Sequence, residues 1–172
     1  LRGAKYEQPR LLDARELPEL PQGWAWCTLQ ECTSLITKGE SPGWQGYQYV
    51  ADGIPFARSE NVLWGSLDLS NFARIPETFH HKLRRSKIRP NDVLINLVGA
   101  SIGRCAIVPP QLLEANINQA VATIRTTEAL LPLYLLHLLL SPAMQGVIQS
   151  KKVEVARPNI SLGDLSRLSI PL

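Results

Sequence analysis

Apolar residues along this chain fall into short runs punctuated by glycine and proline. Asp92-Val93-Leu94-Ile95-Asn96-Leu97-Val98 and Arg104-Cys105-Ala106-Ile107-Val108 flank Gly99-Ala100-Ser101-Ile102-Gly103. Two β-rich runs around a short Gly-bounded loop predict a hairpin, its second strand stopped by Pro109-Pro110. Ile54 to Arg58, entered through Pro55, and Ala120 to Ile124 predict two further strands. Gly23 to Leu29 is aromatic and partly alternating, which predicts a strand. Thr28-Leu29-Gln30-Glu31 has capping-box spacing and predicts a short helix before Leu35 and Ile36. Leu130 to Leu140 is apolar on every face, as in a helix surrounded by core, and Pro142 to Val153 continues as a second helix. Ser161-Leu162-Gly163-Asp164 predicts a capped short helix, and Leu168 to Pro171 a last strand.

The remaining stretches are less regular. Thr37 to Tyr49 holds three glycines and one proline and predicts a long polar loop carrying an exposed Trp44. Residues 62–90 alternate weak strand and helix signals, with Pro76-Glu77-Thr78-Phe79 as a helix start. The expected class is α+β: a curved, mostly antiparallel sheet with short packing helices and a C-terminal helical pair, in a single domain over residues 23–172. Residues 1–22, ending in Leu17-Pro18-Glu19-Leu20-Pro21, read as a linker or approach segment, since each proline restrains its predecessor to extended geometry.

Composition narrows the class. With 172 residues, 45% of them hydrophobic, the chain can bury one sizeable core. The apolar stretch Ala129 to Leu140 is broken by Pro132 and His137 and falls short of the ~20 residues a membrane span needs. Leu1 to Gln8 carries charges and no apolar signal region, so a cytoplasmic address with no membrane partner is expected. The three cysteines, Cys27, Cys32 and Cys105, lack framework spacing and read as reduced, buried thiols.

The net charge of +3 is unevenly placed. Arg74, Lys82, Arg84, Arg85, Lys87, Arg89 and Arg104 lie in one stretch against only Glu77 and Asp92, while the rest of the chain is slightly acidic. Such a stripe, with His80 and His81 beside it, suits phosphate contacts, and it equally suits a solvated surface helix. Arg58, Asn61, Asn118 and Gln119 add forked donors and amides able to pair with base edges, or to serve as caps and turn residues.

Several chemistries lack their motifs. No Asp or Glu stands two positions before any lysine, which disfavours a metal-dependent nuclease built on an acid-x-Lys pair. The glycine turn at 99–103 lacks the Lys and hydroxyl of a phosphate-binding loop. Pro109-Pro110 follows Val108 and precedes Gln111, so the Asn/Asp-Pro-Pro-aromatic site of amino-methyltransferases is absent as well. Cysteines and histidines show no structural zinc spacing. An enzyme using Cys105 with His137 and a protein-interaction module remain as alternatives.

Six segments together resemble a known family. Leu20-Pro21-Gln22-Gly23-Trp24, Thr37-Lys38-Gly39 with Ser41-Pro42, Gly53-Ile54-Pro55-Phe56-Ala57-Arg58-Ser59-Glu60-Asn61, Asp92-Val93-Leu94-Ile95-Asn96, Gly99-Ala100-Ser101-Ile102-Gly103-Arg104 and Ala115-Asn116-Ile117-Asn118-Gln119-Ala120 are similar, in order and spacing, to a target-recognition domain of a type I restriction-modification specificity subunit. Arg157-Pro158-Asn159-Ile160 resembles that domain's exit.

The resemblance implies a non-catalytic reader of double-stranded DNA that recognises one half of a bipartite target. Methylation and restriction subunits are the implied partners, and S-adenosylmethionine, ATP and Mg would belong to them, leaving no cofactor on this chain. The absence of long heptad-patterned spacer helices leads us to expect a domain fragment or half a subunit. On this reading Lys38, Arg74, Lys82, Arg84, Arg85, Lys87 and Arg89 are the expected phosphate contacts, with Ser101 able to donate to a phosphate from a structural turn. Trp44, Gln45, Gln48, Arg58 and Asn61 are the expected base or groove-edge contacts. Asn118 and Gln119 are favoured as internal hydrogen-bond partners.

Overall fold

The structure, a computed structural model, describes residues 17–153 and 159–172. Most of the expected approach segment and the Arg157-Pro158 pair lie outside the described residues. Strands β1 (Trp26–Thr28), β2 (Thr33–Lys38), β3 (Ile54–Ala57), β4 (Ala73–Ile75) and β5 (Lys87–Ile88) precede the hairpin of β6 (Val93–Asn96) and β7 (Cys105–Ile107). They are followed by β8 (Ala115–Ile117), β9 (Val121–Thr126) and β10 (Ser169–Pro171). Helices are few and short: α1 (Glu77–Lys82), α2 (Pro132–Leu140), α3 (Pro142–Val153) and α4 (Leu162–Ser166).

The expected α+β class and C-terminal helical pair are present, with the strands divided over three sheets. A central sheet of order β2-β9-β6-β7 is wholly antiparallel, and an outer sheet of order β4-β3-β8-β5 has one parallel pair, β3 with β8. β1 pairs with β10 apart from both.

Period-two alternation sorts side chains between layers. On β6, Val93 and Ile95 join Ile124, Leu135 and Leu139 in a core beneath the helices, while Leu94 joins Ala106, Ile117 and Val121 between the two sheets. All four residues of β6 are therefore buried, which is why its sequence reads as a continuous apolar run. A third cluster, Phe56, Ile75, Phe79 and Leu83, lies between the outer sheet and α1. The layers run helices, central sheet, outer sheet, α1.

Several local expectations shift. Glu31 does accept from the Thr28 backbone N–H and hydroxyl, at 2.7 Å each. These donors hold its carboxyl below the ordinary carboxylate range. The capped element is only a single 3₁₀ turn, Leu29–Cys32, and Leu35 and Ile36 belong to β2. The β-branched run Thr33, Ile36 and Thr37 overrides the helix start, because the strand pairs along its length with β9. Helix α2 is not surrounded by core: Leu131, Leu133 and His137 are exposed on its outer face. Ala115–Ile117, read only as part of a motif, is a central strand of the outer sheet.

Candidate nucleic-acid interface

The basic stretch is held on the outer sheet by one buried amide. Asn116 points from β8 toward α1, where its Nδ2 donates to Leu83 O (3.2 Å) and Ser86 Oγ (2.9 Å). Its Oδ1 consequently accepts from His80 Nδ1. Two successive pieces of chain, α1 with its end and the 3₁₀ turn Arg84–Ser86, are thus fastened to one side chain, and β5 follows by backbone pairing with β8 at the same residue. Buried polar atoms in a network of this kind fix geometry because each would be costly to leave unpaired.

Two clefts flank the turn. One, of about 260 Å³, is lined by Lys38, Glu40, Lys82, Arg84 and Arg85. The other, of about 380 Å³, is lined by His80, Arg84, Arg85, Lys87, Arg89 and Glu114 among others. Arg84 and Arg85 form the ridge between them. Among the described residues neither arginine has an acidic partner, and both are exposed. Arg125, also on the second cleft, is committed elsewhere. Its Nε and Nη2 meet both oxygens of buried Asp92 at 2.8 and 2.7 Å, and Asp92 Oδ2 also accepts from Arg89 N.

The polar loop is anchored over this layer. Lys82 Nζ donates to Gln45 Oε1 at 2.8 Å, and Gln45 Nε2 donates to Glu40 Oε2 at 2.6 Å. Tyr47 lies 4.7 Å from the Phe79 ring, with Lys82 over its face at 5.5 Å. The turn Gly43–Gln45 ends at Gly46, whose φ of 78° is left-handed backbone that glycine adopts without a Cβ penalty. Trp44 stands at the tip, 80% exposed. A large aromatic held outward beside unpaired cations is chemically suited to a base face or groove wall.

Of the residues expected from sequence, Lys38, Lys82, Arg84, Arg85, Lys87 and Arg89 are brought together, with Trp44 and Gln45 beside them. Arg74 is not: it lies on β4, the opposite edge of the outer sheet from β5, about 14 Å away by ordinary strand spacing, and its Nη1 donates to Gly53 O at 2.8 Å. Gln48 is exposed on the same loop as Trp44. Arg58 pairs with Glu60 and lies over the Tyr49 ring at 5.9 Å.

Asn61 is corrected outright. It is buried, its Oδ1 accepts from Arg58 N, and its Nδ2 donates to the carbonyls of Asp68 and Asn71, so its amide closes a turn and presents nothing to a base. Ser101 Oγ donates to Val98 O at 3.4 Å, as in a structural turn. Asn118 Oδ1 accepts from Ala120 N, in keeping with its favoured internal role. Sequence reasoning missed Asn116 and Glu114. The available signal was a polar residue at the centre of the alternating Ala115-Asn116-Ile117.

Cys105 is a poor nucleophile. It is fully buried in β7, its thiol donates to Gly103 O at 3.1 Å, and burial pushes its pKa far up, while His137 is exposed on α2. Cys27 and Cys32, expected to be reduced, buried thiols, have sulfurs 3.3 Å apart, with Cys32 buried and Cys27 half-buried. Burial, reinforced by the Cys32 thiol, pushes Cys27 up to about 12. Among the described residues, no group of three or more Cys, His, Asp or Glu is arranged to hold a metal ion. No described helix is long and apolar enough to cross a membrane.

No family model matches the chain. It is 36% identical over 162 residues to the type I restriction enzyme EcoBI specificity subunit of Escherichia coli, a match covering 89% of this chain. The chain is thus similar to one segment of a type I restriction specificity subunit. It spans about a third of that relative, 32% of its length. The crystal structure of the HsdS subunit from Thermoanaerobacter tengcongensis superposes with a TM-score of 0.63 at 26% identity, over 91% of this chain and 35% of that one. A chain from a study of type I R-M complex assembly and conformational transition shares the fold, with a TM-score of 0.60 at 24% identity, over 92% and 36% of the two chains. The fold of this chain is therefore that of a segment of these two solved proteins.

Proposed function

We propose that this chain is a non-catalytic recognition domain that reads one half of a bipartite target in double-stranded DNA, so directing adenine-N6 methylation or restriction by partner subunits. The observation that carries the reading is the ridge of Arg84 and Arg85 between two cation-lined clefts, next to the outward Trp44. Phosphates on the ridge would fix register, while Trp44 and Gln48 reach base edges or groove walls and Gln45 holds their loop to Lys82 and Glu40. Kinship with named specificity subunits supports the role, and an assembly study of a structural neighbour supports partnership with methylation and restriction subunits. In this reading S-adenosylmethionine, ATP and Mg belong to those partners, and the complex works in the cytoplasm.

Salt titration tests it. With roughly five phosphates neutralised, log affinity for duplex DNA falls against log salt with a slope near −4 to −5. A flat response would refute DNA reading and favour a protein-interaction module. Selection from a randomised duplex pool should enrich one short motif. Trp44→Ala separates the two kinds of contact. It is expected to weaken binding about 5- to 30-fold, the equivalent of 1–2 kcal/mol for a stacking or groove aromatic, with the salt slope unchanged because no phosphate contact is lost. Its melting temperature should stay within about 1 °C of the parent, since the indole touches little else.

A further inference from the structure

The larger cleft contains a buried histidine whose outward nitrogen has no aligned partner. His80 is fully buried on α1. Its Nδ1 must donate, because the acceptor it meets is Asn116 Oδ1, oriented by the two bonds that Asn116 Nδ2 makes. Its Nε2 lies 2.8 Å from Glu114 Oε1, an ion-pair distance, yet it makes no hydrogen bond of acceptable geometry. A bare Nε2 lone pair facing a carboxylate at that distance would be repelled. With Nδ1 committed to Asn116, Nε2 can donate only when the ring carries both protons. The Glu114 side chain that covers it is 58% exposed, so it is tethered at one end and free to swing.

The charge around this pair is lopsided. Arg84, Arg85, Lys87 and Arg89 line the same cleft, and among the described residues Glu114 is the only acid lining it. Arg125 there is already satisfied by Asp92. Glu114 thus covers the His80 ring while Arg84, Arg85 and Arg89 are exposed, with Lys87 half-buried beside them. A tetrahedral oxyanion in its place would accept a hydrogen bond from His80 Nε2 and at the same time reach the guanidinium groups, which a single tethered carboxylate cannot do. The cleft volume of about 380 Å³ admits such a group with its water.

We propose that this cleft is a receptor for one backbone phosphate of the DNA target, in which His80 Nε2 donates to a phosphate oxygen after Glu114 swings aside. The assignment rests on the DNA-reading function above and makes Glu114 an intrinsic competitor of DNA. It predicts a gain of affinity on removing an acid, which a structural ion pair does not.

The test compares Glu114→Gln with Glu77→Gln, an equally conservative change at an exposed carboxylate on α1 that faces His81 at 3.5 Å. Duplex affinity is measured at fixed salt for both and for the parent. Glu114→Gln should tighten binding about 3- to 10-fold, and Glu77→Gln by less than twofold. Equal changes in the two variants, or a loss in Glu114→Gln, would overturn the proposal while leaving DNA reading intact, provided that the parent still shows a steep salt slope. If the parent itself binds no duplex, the underlying reading fails instead.

A second measurement avoids substitution altogether: side-chain nitrogen NMR of the histidines during titration with a short duplex and, separately, with inorganic phosphate. The His80 Nε2 signal should move on adding duplex and keep its proton. A shift with inorganic phosphate and none with duplex would overturn the assignment to the DNA backbone.

Discussion

With Arg84 and Arg85 both replaced by alanine, duplex affinity is expected to fall about 60-fold in about 0.1 M monovalent salt, and the salt slope to become shallower by about 2. Each phosphate contact contributes about 0.9 to that slope. At 0.1 M salt each therefore accounts for close to one power of ten in the binding constant. Both side chains are exposed and, among the described residues, lack an acidic partner. Their removal should accordingly leave stability within about 0.5 kcal/mol. Anisotropy titrations at four or five salt concentrations, with a melting curve for each variant, give both readouts. Lysine at the two positions should restore the slope and only part of the affinity, because an ammonium supplies the charge without the planar fork. Unchanged binding in the double alanine variant would remove the ridge from the interface.

Gly39→Ala is expected to cost about 3 kcal/mol or more, a fall in melting temperature of roughly 6–12 °C for a chain of this size. Gly39 follows β2 where the chain crosses the end of β8. A Cβ there would lie 1.7 Å from Ile117 O and 2.7 Å from Asn118 O. Those carbonyls belong to backbone, and the Gly39 N–H itself donates to Asn118 O at 3.2 Å. The strain cannot be relieved by a side-chain rotation. Binding should weaken as well, since Lys38 on one side and the Trp44 loop on the other hang from this crossing. Gly43→Ala provides the contrast: its added Cβ meets only Ser41 Oγ at 4.0 Å, and less than about 0.5 kcal/mol should be lost.

Gly39 and Asn116 also mark where sequence reasoning stopped. The hairpin of β6 and β7, the helix at Pro76 and the final α2-α3-α4-β10 succession were legible, because each rests on local chemistry: turn glycines, a proline at a helix start, a serine cap. The division of strands between two sheets was not. It depends on which face of each short strand meets which layer, and a run such as Val93 to Asn96, covered on both sides, shows no alternation to read. Much the same applies to the interface. Clustered arginines announced a basic surface, and six of the seven expected basic contacts do converge. Arg74 sits eight to fifteen positions before Lys82, Arg84, Arg85, Lys87 and Arg89 in sequence yet at the opposite sheet edge from β5, and no periodicity in so irregular a stretch could have revealed that. Asn61 was misjudged because a surface amide and a turn-closing amide look alike until the backbone around them is placed.

The layered arrangement has a bearing on which backbone amides open first. β6 and β9 are inner strands of the central sheet, covered on both faces, so their N–H groups should exchange with deuterium only through global unfolding. β5 is a two-residue edge strand joined to β8 by two residue pairs. The basic turn before it can therefore open and reclose while the central sheet stays shut. Exchange in residues 82–89 would then be slowed by DNA at concentrations where the amides of β6 report no change, giving the interface a local clock separate from that of the fold.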